Sequence, residues 1–259
     1  MLSVERLAMH GFGHEGTTMR QPIRLAVLAS LAIGGALLTA PAHAVLYDLA
    51  TDWSTVNNGT GGNPWSYRGG TSALPVQSDL TLLTFPFTQP GWAPSNTLGS
   101  FLPIWFKASG NPGLGGIDIL ADDVVTHTWD APNGGSSGQS NILFTAPIGG
   151  TATISGSAFN SRNLNRAERW DIFVNNVQQV GDTLPGDGSN IRASADTFNL
   201  ANVVLDAGDT VELRITTLGS AGDFVTVSMS VEMTPAPEPT SLALLGTGLA
   251  AVFLRRRSV

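Results

Sequence analysis

The sequence predicts an all-β protein built as an antiparallel, jelly-roll-like β-sandwich, with one further hydrophobic helix predicted near each end of the chain. Apolar and polar residues alternate in many runs from about residue 123 onward, and turn residues separate these runs at roughly ten-residue spacing. The 259 residues also include 30 Gly and 15 Pro. Alternation places one face of a strand in a core and the other in water, and frequent Gly and Pro are typical of short elements joined by turns.

The clearest strands lie in the second half of the chain. Apolar and polar residues alternate strictly over 210–217, over 225–233 and around Trp170. Asn175 and Asn176 separate two alternating runs, and Asn tolerates the positive φ angles of a tight hairpin turn. Further strands are predicted at 124–129, 142–145, 151–158 and 197–204.

The first part of the body, residues 45–122, has a less regular pattern. Its many Gly, Pro, Ser and Thr residues predict a first strand followed by long loops that cap the sandwich. A separate small domain is the alternative, but only the segment 110–113 resembles a linker. We therefore expect one β-sandwich domain over residues 45–234.

Residues 1–44 predict an N-terminal extension followed by a secretory signal peptide. A short basic segment from Met19 to Arg24 precedes an apolar run at 25–38, which is typical of an export signal. Ala42 and Ala44 form the small-x-small pattern of a cleavage site, so cleavage is predicted before Val45. The start of translation is predicted at Met19. A retained membrane anchor is disfavoured because the apolar run is shorter than the roughly 20 residues of a spanning helix.

Residues 235–259 contain three segments in a fixed order: Pro237-Glu238-Pro239, an uncharged apolar run at 241–254, and Arg255-Arg256-Arg257. As a helix, the apolar run would cover roughly two-thirds of a bilayer core of about 30 Å. The arginines would lie at cytoplasmic headgroups, which places the body beyond the inner membrane. A buried or amphipathic terminal helix is disfavoured because apolar residues cover every face of the run.

This three-part tail resembles the PEP-CTERM sorting signal, and Pro237, Glu238, Pro239 and the three arginines match its motif. The resemblance implies export by a Gram-negative bacterium that makes exopolysaccharide. It also implies an exosortase-type membrane processing enzyme as partner and transient anchoring in the inner membrane. The expected destination is the cell surface, the outer membrane or the extracellular space.

The body resembles exported β-sandwich proteins that carry the same signal. The similarity lies in Asp52-Trp53-Ser54, in Pro64-Trp65-Ser66-Tyr67 and in the segment 205–211. Those modules are similar to carbohydrate-binding and galactose-binding-like sandwiches. The resemblance implies a fold and an export route more than a ligand.

Composition excludes several functional classes. Lys and Arg total 13 against 20 Asp and Glu, so the formal net charge is −7, which argues against nucleic acid as a partner. The chain has no Cys, which excludes disulfides, thiolate catalysis and Cys-type zinc sites.

Few residues of the body fit a catalytic pattern, and we predict no catalytic residue. His127 is its single histidine, and no G-x-S-x-G motif accompanies it. Acidic pairs are expected by chance in an acidic protein, although a glycosidase would need one. The acidic candidates are Asp118, Asp122 and Asp123, and separately Glu168 with Asp171.

No cofactor or metal is predicted. The weaker alternative is a structural calcium ion in the loop that contains Asp182, Asp187 and Asn190, because carboxylates and carbonyls are its usual ligands. The sequence lacks a D-x-D-x-D-G repeat there, so a solvated loop is favoured.

Exposed aromatic rings are the predicted binding groups. Trp65, Tyr67 and Trp92 lie in Gly- and Pro-rich segments and are the candidates for stacking on sugar rings. Packing of these rings inside the protein is the alternative.

The sequence therefore predicts a non-enzymatic, exported cell-surface or extracellular-matrix protein with weak glycan binding and extracellular polysaccharide as a partner. A secreted carbohydrate-active enzyme, either hydrolase or lyase, on the same jelly roll is the alternative. A structural or adhesive matrix component with no small ligand is the third hypothesis.

Overall fold

A computed structural model describes residues 43–81, 88–96, 103–111, 116–129 and 138–236. These ranges form two antiparallel sheets, which confirms the predicted all-β sandwich. In them we find one short 3₁₀ helix, Arg192–Ser194, and no helix long and apolar enough to cross a bilayer. The predicted terminal helices, Ala42 and the sorting motif lie outside the described residues.

The described strands, in chain order, are β1 Val45–Asp48, β2 Trp65–Gly69, β3 Ser72–Ala73, β4 Val76–Thr81, β5 Thr88–Trp92, β6 Ile104–Lys107, β7 Val124–His127, β8 Gln139–Thr145, β9 Gly150–Asn160, β10 Glu168–Val174, β11 Val177–Leu184, β12 Asp196–Leu205, β13 Thr210–Thr217 and β14 Phe224–Pro235. Sheet A has the order β12-β9-β14-β7-β6-β5-β4, with β1 also paired to β14. Sheet B has the order β11-β10-β13-β8-β2-β3. The body therefore begins and ends on adjacent strands of sheet A.

The alternating runs form strands where they were predicted. β13 spans the predicted residues, and β8, β9, β12 and β14 extend beyond their predicted bounds. The β10–β11 hairpin turns at Asn175 and Asn176, which have φ angles of 48° and 64°. This turn was predicted from the two asparagines.

The prediction for residues 45–122 was wrong. This region contributes β1 and β4–β6 to sheet A and β2 and β3 to sheet B, instead of one strand with capping loops. In β6, Ile104, Trp105 and Phe106 are buried in succession. A strand covered on both faces has no polar phase, so its sequence lacks the alternation that marks a strand.

Two apolar clusters fill the described body. The larger lies between the sheets and includes Trp65, Ile142 and Val124. The smaller includes Phe106, Val125 and Phe224. Because Val124 and Val125 are consecutive in β7, they point to opposite faces of sheet A. Part of the outer face of sheet A is therefore covered as well.

Candidate functional site

The three aromatic residues predicted to stack on sugars lie in the core, so that prediction was wrong. Trp65 and Tyr67 are 0% exposed and Trp92 is 3% exposed. The Tyr67 and Trp92 rings stack on each other, with centroids 5.7 Å apart and planes 12° apart. A sugar ring needs an accessible aromatic face, which none of the three provides.

His127 is also buried, with 2% of its surface exposed. Burial is the main cause that lowers its pKa from 6.5 to about 4. Its Nδ1 lies 2.5 Å from the carbonyl oxygen of Thr128, and its ring contacts that of Phe224 at a centroid distance of 4.8 Å. A substrate at the surface would not reach this imidazole.

The acidic groups considered as catalytic pairs have other partners. Arg192 donates to Asp118 at 3.0 Å and to Asp123 at 2.6 Å, and Lys107 lies 3.0 Å from Asp122. These contacts are ion pairs that join loops to the sandwich.

Glu168 and Asp171 do not form a pair, because they lie on opposite faces of β10. Glu168 is on the buried side with Trp170 and is 0% exposed, whereas Asp171 is on the outer side with Arg169. Residues three apart in a strand point in opposite directions. The spacing of these two residues is therefore incompatible with a shared site.

The loop considered for calcium does not bring its three residues to a common partner. Asp187 accepts hydrogen bonds from Ser189, the Asn190 side chain bonds Asn160 and Asp196, and Asp182 accepts from the Thr183 amide. No group of three or more His, Asp or Glu side chains within the described ranges is arranged to hold a metal.

A polar surface that was not predicted from the sequence lies on the outer face of sheet B. Strand register places Asp171 opposite Arg214, Arg214 opposite Asn141, and Asn141 opposite Arg68. In the next row, Phe173 lies opposite Glu212. We call Arg169, Asp171, Phe173, Glu212, Arg214 and Asn141 the sheet B platform.

Two hydrogen-bonded networks fix the charged groups of the platform. Asp171 accepts from Arg169 Nη2 at 2.7 Å and from Gln178 Nε2 at 2.6 Å. Glu212 accepts from Arg214 Nε at 2.7 Å and from Asn141 Nδ2 at 3.1 Å. Each carboxylate is thus held by one guanidinium and one amide.

An aromatic ring lies within the same surface. The Arg214 guanidinium is 3.7 Å from the centroid of the half-buried Phe173 ring, a close cation–π contact. The Arg169 and Arg214 side chains are 38% and 23% exposed. The platform therefore presents part of both guanidinium side chains to solvent beside an apolar ring.

The platform can donate and accept hydrogen bonds in fixed directions. Guanidinium groups donate in a planar fork, and carboxylates accept on two oxygens. Asn141, Asp171 and Glu212 are buried, at 1%, 7% and 7% exposure, so they form the base of the platform and the guanidinium groups are the parts that a surface ligand can reach. Such a mixture of oriented polar groups and an aromatic ring is typical of sites for polyhydroxylated ligands.

The sequence contained a signal for this platform that was not recognised. Arg169, Asp171 and Phe173 occupy alternate positions, as do Glu212 and Arg214, and these are the polar phases of the predicted strands. The pattern predicts an outer face, but it does not predict that β10 and β13 are neighbours. That pairing brings the two sets together.

The family model for the PEP-CTERM protein-sorting motif matches residues 235–257. The chain therefore carries a PEP-CTERM sorting signal, as predicted, and this signal implies export, exosortase processing and sorting to the cell surface. No curated protein matches the chain in sequence.

Several solved structures are similar to this chain at low scores. The K1 cleaved adhesin domain of Lys-gingipain from Porphyromonas gingivalis W83 has 11% identity and a TM-score of 0.36, covering 75% of this chain and 99% of its own. The xylan-binding module CBM15 has 10% identity and a TM-score of 0.34, covering 74% and 99%. The module TmCBM61 in complex with β-1,4-galactotriose has 12% identity and a TM-score of 0.31, covering 65% and 87%. The sandwich assignment rests on the paired sheets of this chain, not on these likenesses.

Proposed function

We propose that the protein is an exported, non-enzymatic surface or matrix protein that binds glycan through the sheet B platform. The observation that carries the binding proposal is the pair of partly exposed guanidinium side chains, Arg169 and Arg214, held in fixed positions beside the Phe173 ring. Extracellular polysaccharide is the proposed ligand class, because sugar hydroxyl groups can accept hydrogen bonds from guanidinium groups that are held in fixed directions.

The boundaries of the body support the proposed processing at both ends. β1 begins at Val45, the residue after the predicted signal cleavage site, so cleavage there would leave every described strand intact. β14 ends at Pro235, where the matched motif begins. In this proposal, the tail anchors the chain transiently in the inner membrane until an exosortase-type enzyme processes it.

The non-enzymatic assignment rests on the accessibility of the acidic groups. A glycoside hydrolase needs a carboxyl group that holds a proton at the substrate. Burial raises the pKa of Glu168 to about 8, which would suit a general acid, but this group is 0% exposed. On the platform, the Asp171 and Glu212 carboxylates are each 7% exposed and accept a hydrogen bond from a guanidinium.

The proposal is tested by binding of the purified full chain to a polysaccharide array. Arg214→Gln removes a charged donor and the contact over Phe173, so we expect affinity to fall about tenfold or more, the effect of losing one charged hydrogen bond. Arg162→Gln, which removes the same charge outside the strands of sheet B, is the matched control and should bind like the wild type.

Three outcomes would contradict parts of this proposal. Absence of binding by the wild type to every polysaccharide rules out the glycan ligand. Unchanged binding by a folded Arg214→Gln variant places the ligand elsewhere. Release of reducing ends or unsaturated products by the wild type supports the hydrolase or lyase alternative.

A further inference from the structure

Three arginine side chains lie on the outer face of sheet B, although the body of the protein is acidic. Residues 45–234 contain seven Lys and Arg residues against 17 Asp and Glu residues. Strand register places Arg68 in the row of Asn141 and Arg214, and Arg169 lies in the neighbouring row of the same face. This single face therefore holds three of the seven basic residues of the body.

Two of these three cations are balanced by acids of the same face, and the third is not. Arg169 pairs with Asp171 at 2.7 Å, and Arg214 pairs with Glu212 at 2.6 Å. Among the described residues, no ion pair includes Arg68. The paired residues of this face therefore carry no net charge, and Arg68 adds one unbalanced positive charge.

Terminal nitrogens of two guanidinium groups remain for a ligand. Arg214 donates from Nε to Glu212 at 2.7 Å and from Nη2 to Asn176 at 3.3 Å. Arg68 donates from Nε to Ser66 at 3.4 Å. Within the described ranges, no hydrogen bond is made by Nη1 of Arg214 or by either terminal nitrogen of Arg68. Both side chains are partly exposed, so these donors can meet a ligand from solvent.

Arg169, by contrast, is more fully neutralised. It donates to Asp171 from both Nε and Nη2. The hydrogen bond and charge of Asp171, and to a smaller extent the charge of Asp182, raise the pKa of Arg169. The positive charge that a ligand meets is therefore concentrated at Arg68 and Arg214.

The strand spacing sets the separation of these two cations. Arg68 on β2 and Arg214 on β13 have β8 between them, so their Cα atoms lie two strand spacings apart, or about 10 Å. Asn141 lies between them and is 1% exposed, so it forms the floor of the row. An extended ligand along this row would meet one guanidinium at each end.

Building on the proposed function, on which this step rests, we propose that the glycan bound at the sheet B platform is an acidic polysaccharide. Its carboxylate groups pair with Arg68 and Arg214. A guanidinium forms strong, directed hydrogen bonds with a carboxylate, and these are about twice as strong as bonds between neutral groups. A neutral glycan would leave the charge of Arg68 without a partner.

The acidity of the rest of the chain does not prevent this pairing. The formal net charge is −7. At physiological ionic strength, however, exposed charges more than about 8 Å apart are largely screened, whereas groups in contact still attract. The same net charge disfavours nucleic acid, because binding to its dense row of phosphates needs a larger basic surface.

The test compares two polymers that share a backbone and differ in charge. Polygalacturonate carries a carboxylate on each sugar, and its fully methyl-esterified form carries none. At about 150 mM salt, the purified full chain should bind the acidic polymer at least about tenfold more tightly. Raising the salt to about 1 M should weaken this binding and leave binding of the ester nearly unchanged.

Variants of Arg68 assign the effect to this row. Arg68→Gln should lower the affinity for polygalacturonate about tenfold or more and leave the affinity for the ester unchanged. Arg68→Lys keeps the charge but loses the planar fork, so its affinity should lie between those of Arg68→Gln and the wild type. Arg162→Gln changes the net charge equally outside the strands of sheet B and should bind like the wild type. Melting temperatures equal to that of the wild type would show that the variants fold.

The outcomes separate this proposal from the proposed function. Equal affinity for the two polymers, or wild-type binding of polygalacturonate by a folded Arg68→Gln variant, would overturn the acidic ligand and leave glycan binding intact. Absence of binding to every polysaccharide would contradict the glycan function itself. Equally tight binding of duplex DNA would show a general attraction to polyanions and would also overturn the proposal.

Discussion

The buried tryptophans show how single residues link the core to neighbouring segments of the chain through hydrogen bonds of their indole N–H groups. Trp65 Nε1 donates to Asp52 Oδ2 at 3.2 Å, and Trp92 Nε1 donates to the Ser54 carbonyl oxygen at 2.9 Å. Trp105 Nε1 lies 3.3 Å from its acceptor, the Arg68 carbonyl oxygen. Each indole therefore buries its apolar surface while its polar atom is satisfied inside the protein.

Trp65→Ala tests whether the Trp65 ring packs in the core or lies exposed for stacking on a sugar, as the sequence predicted. Removing a fully buried indole should reduce the free energy of unfolding by about 3–5 kcal/mol. Val56→Ala is the control, because Val56 is 81% exposed and its loss should change stability by less than about 0.5 kcal/mol. Urea denaturation measures both, and a Trp65→Ala protein of wild-type stability contradicts the core position.

His127 should make the fold sensitive to acid. Its pKa is about 4 in the folded protein and 6.5 in the unfolded chain. Between these values the unfolded chain binds the proton and the folded protein does not, so this contribution to stability falls as pH decreases from 6.5 to 4. The loss should reach up to about 3 kcal/mol.

The comparison variant is His127→Asn, which keeps a donor near the Nδ1 position and does not titrate. The difference in unfolding free energy between this variant and the wild type should change across pH 4 to 6.5 and be constant above it. Glu168 also makes the unfolding free energy depend on pH, in the opposite direction. Its contribution is the same in the wild type and the variant, so it cancels in this difference. A constant difference over the whole range would show that His127 does not remain neutral.

At the scale of elements, exposure to water determines which strands could be predicted. β13 has a solvent-facing side, so its polar residues alternate with Val211, Leu213 and Ile215. β6 is covered on both sides, and its sequence carries no period. The platform was unpredictable for a different reason, because its residues belong to strands whose pairing depends on the whole fold.

The pairing of β9 with its neighbours depends on a glycine. A Cβ atom at Gly156 would lie only 2.1 Å from the Ser228 carbonyl oxygen and 2.4 Å from the Phe198 ring. Gly156→Ala should therefore push apart β9, β12 and β14 and cost about 1–3 kcal/mol. Gly219→Ala is the control, because a Cβ there meets nothing within 4 Å. Equal melting temperatures for the two variants would contradict this packing.

At the scale of the whole molecule, the two ends of the folded body meet on sheet A. Val45 is paired with Met233, and the Ala236 amide donates to the Gly149 carbonyl oxygen at 3.1 Å. The predicted signal cleavage site and the start of the sorting motif are therefore attached to adjacent strands. Processing at either end would leave the platform, on the other sheet, unchanged.

Replacing Pro237, Glu238 and Pro239 with Ala should separate sorting from folding. These residues follow the last residue of β14, so the melting temperature and polysaccharide binding of the body should match those of the wild type. The shortened, surface-sorted product should disappear, and the full chain should accumulate in the inner membrane. Mass spectrometry of cell fractions measures this change, with Glu232→Gln on the exposed side of β14 as the control. Normal shortening of the Ala variant would show that the processing enzyme recognises another part of the tail.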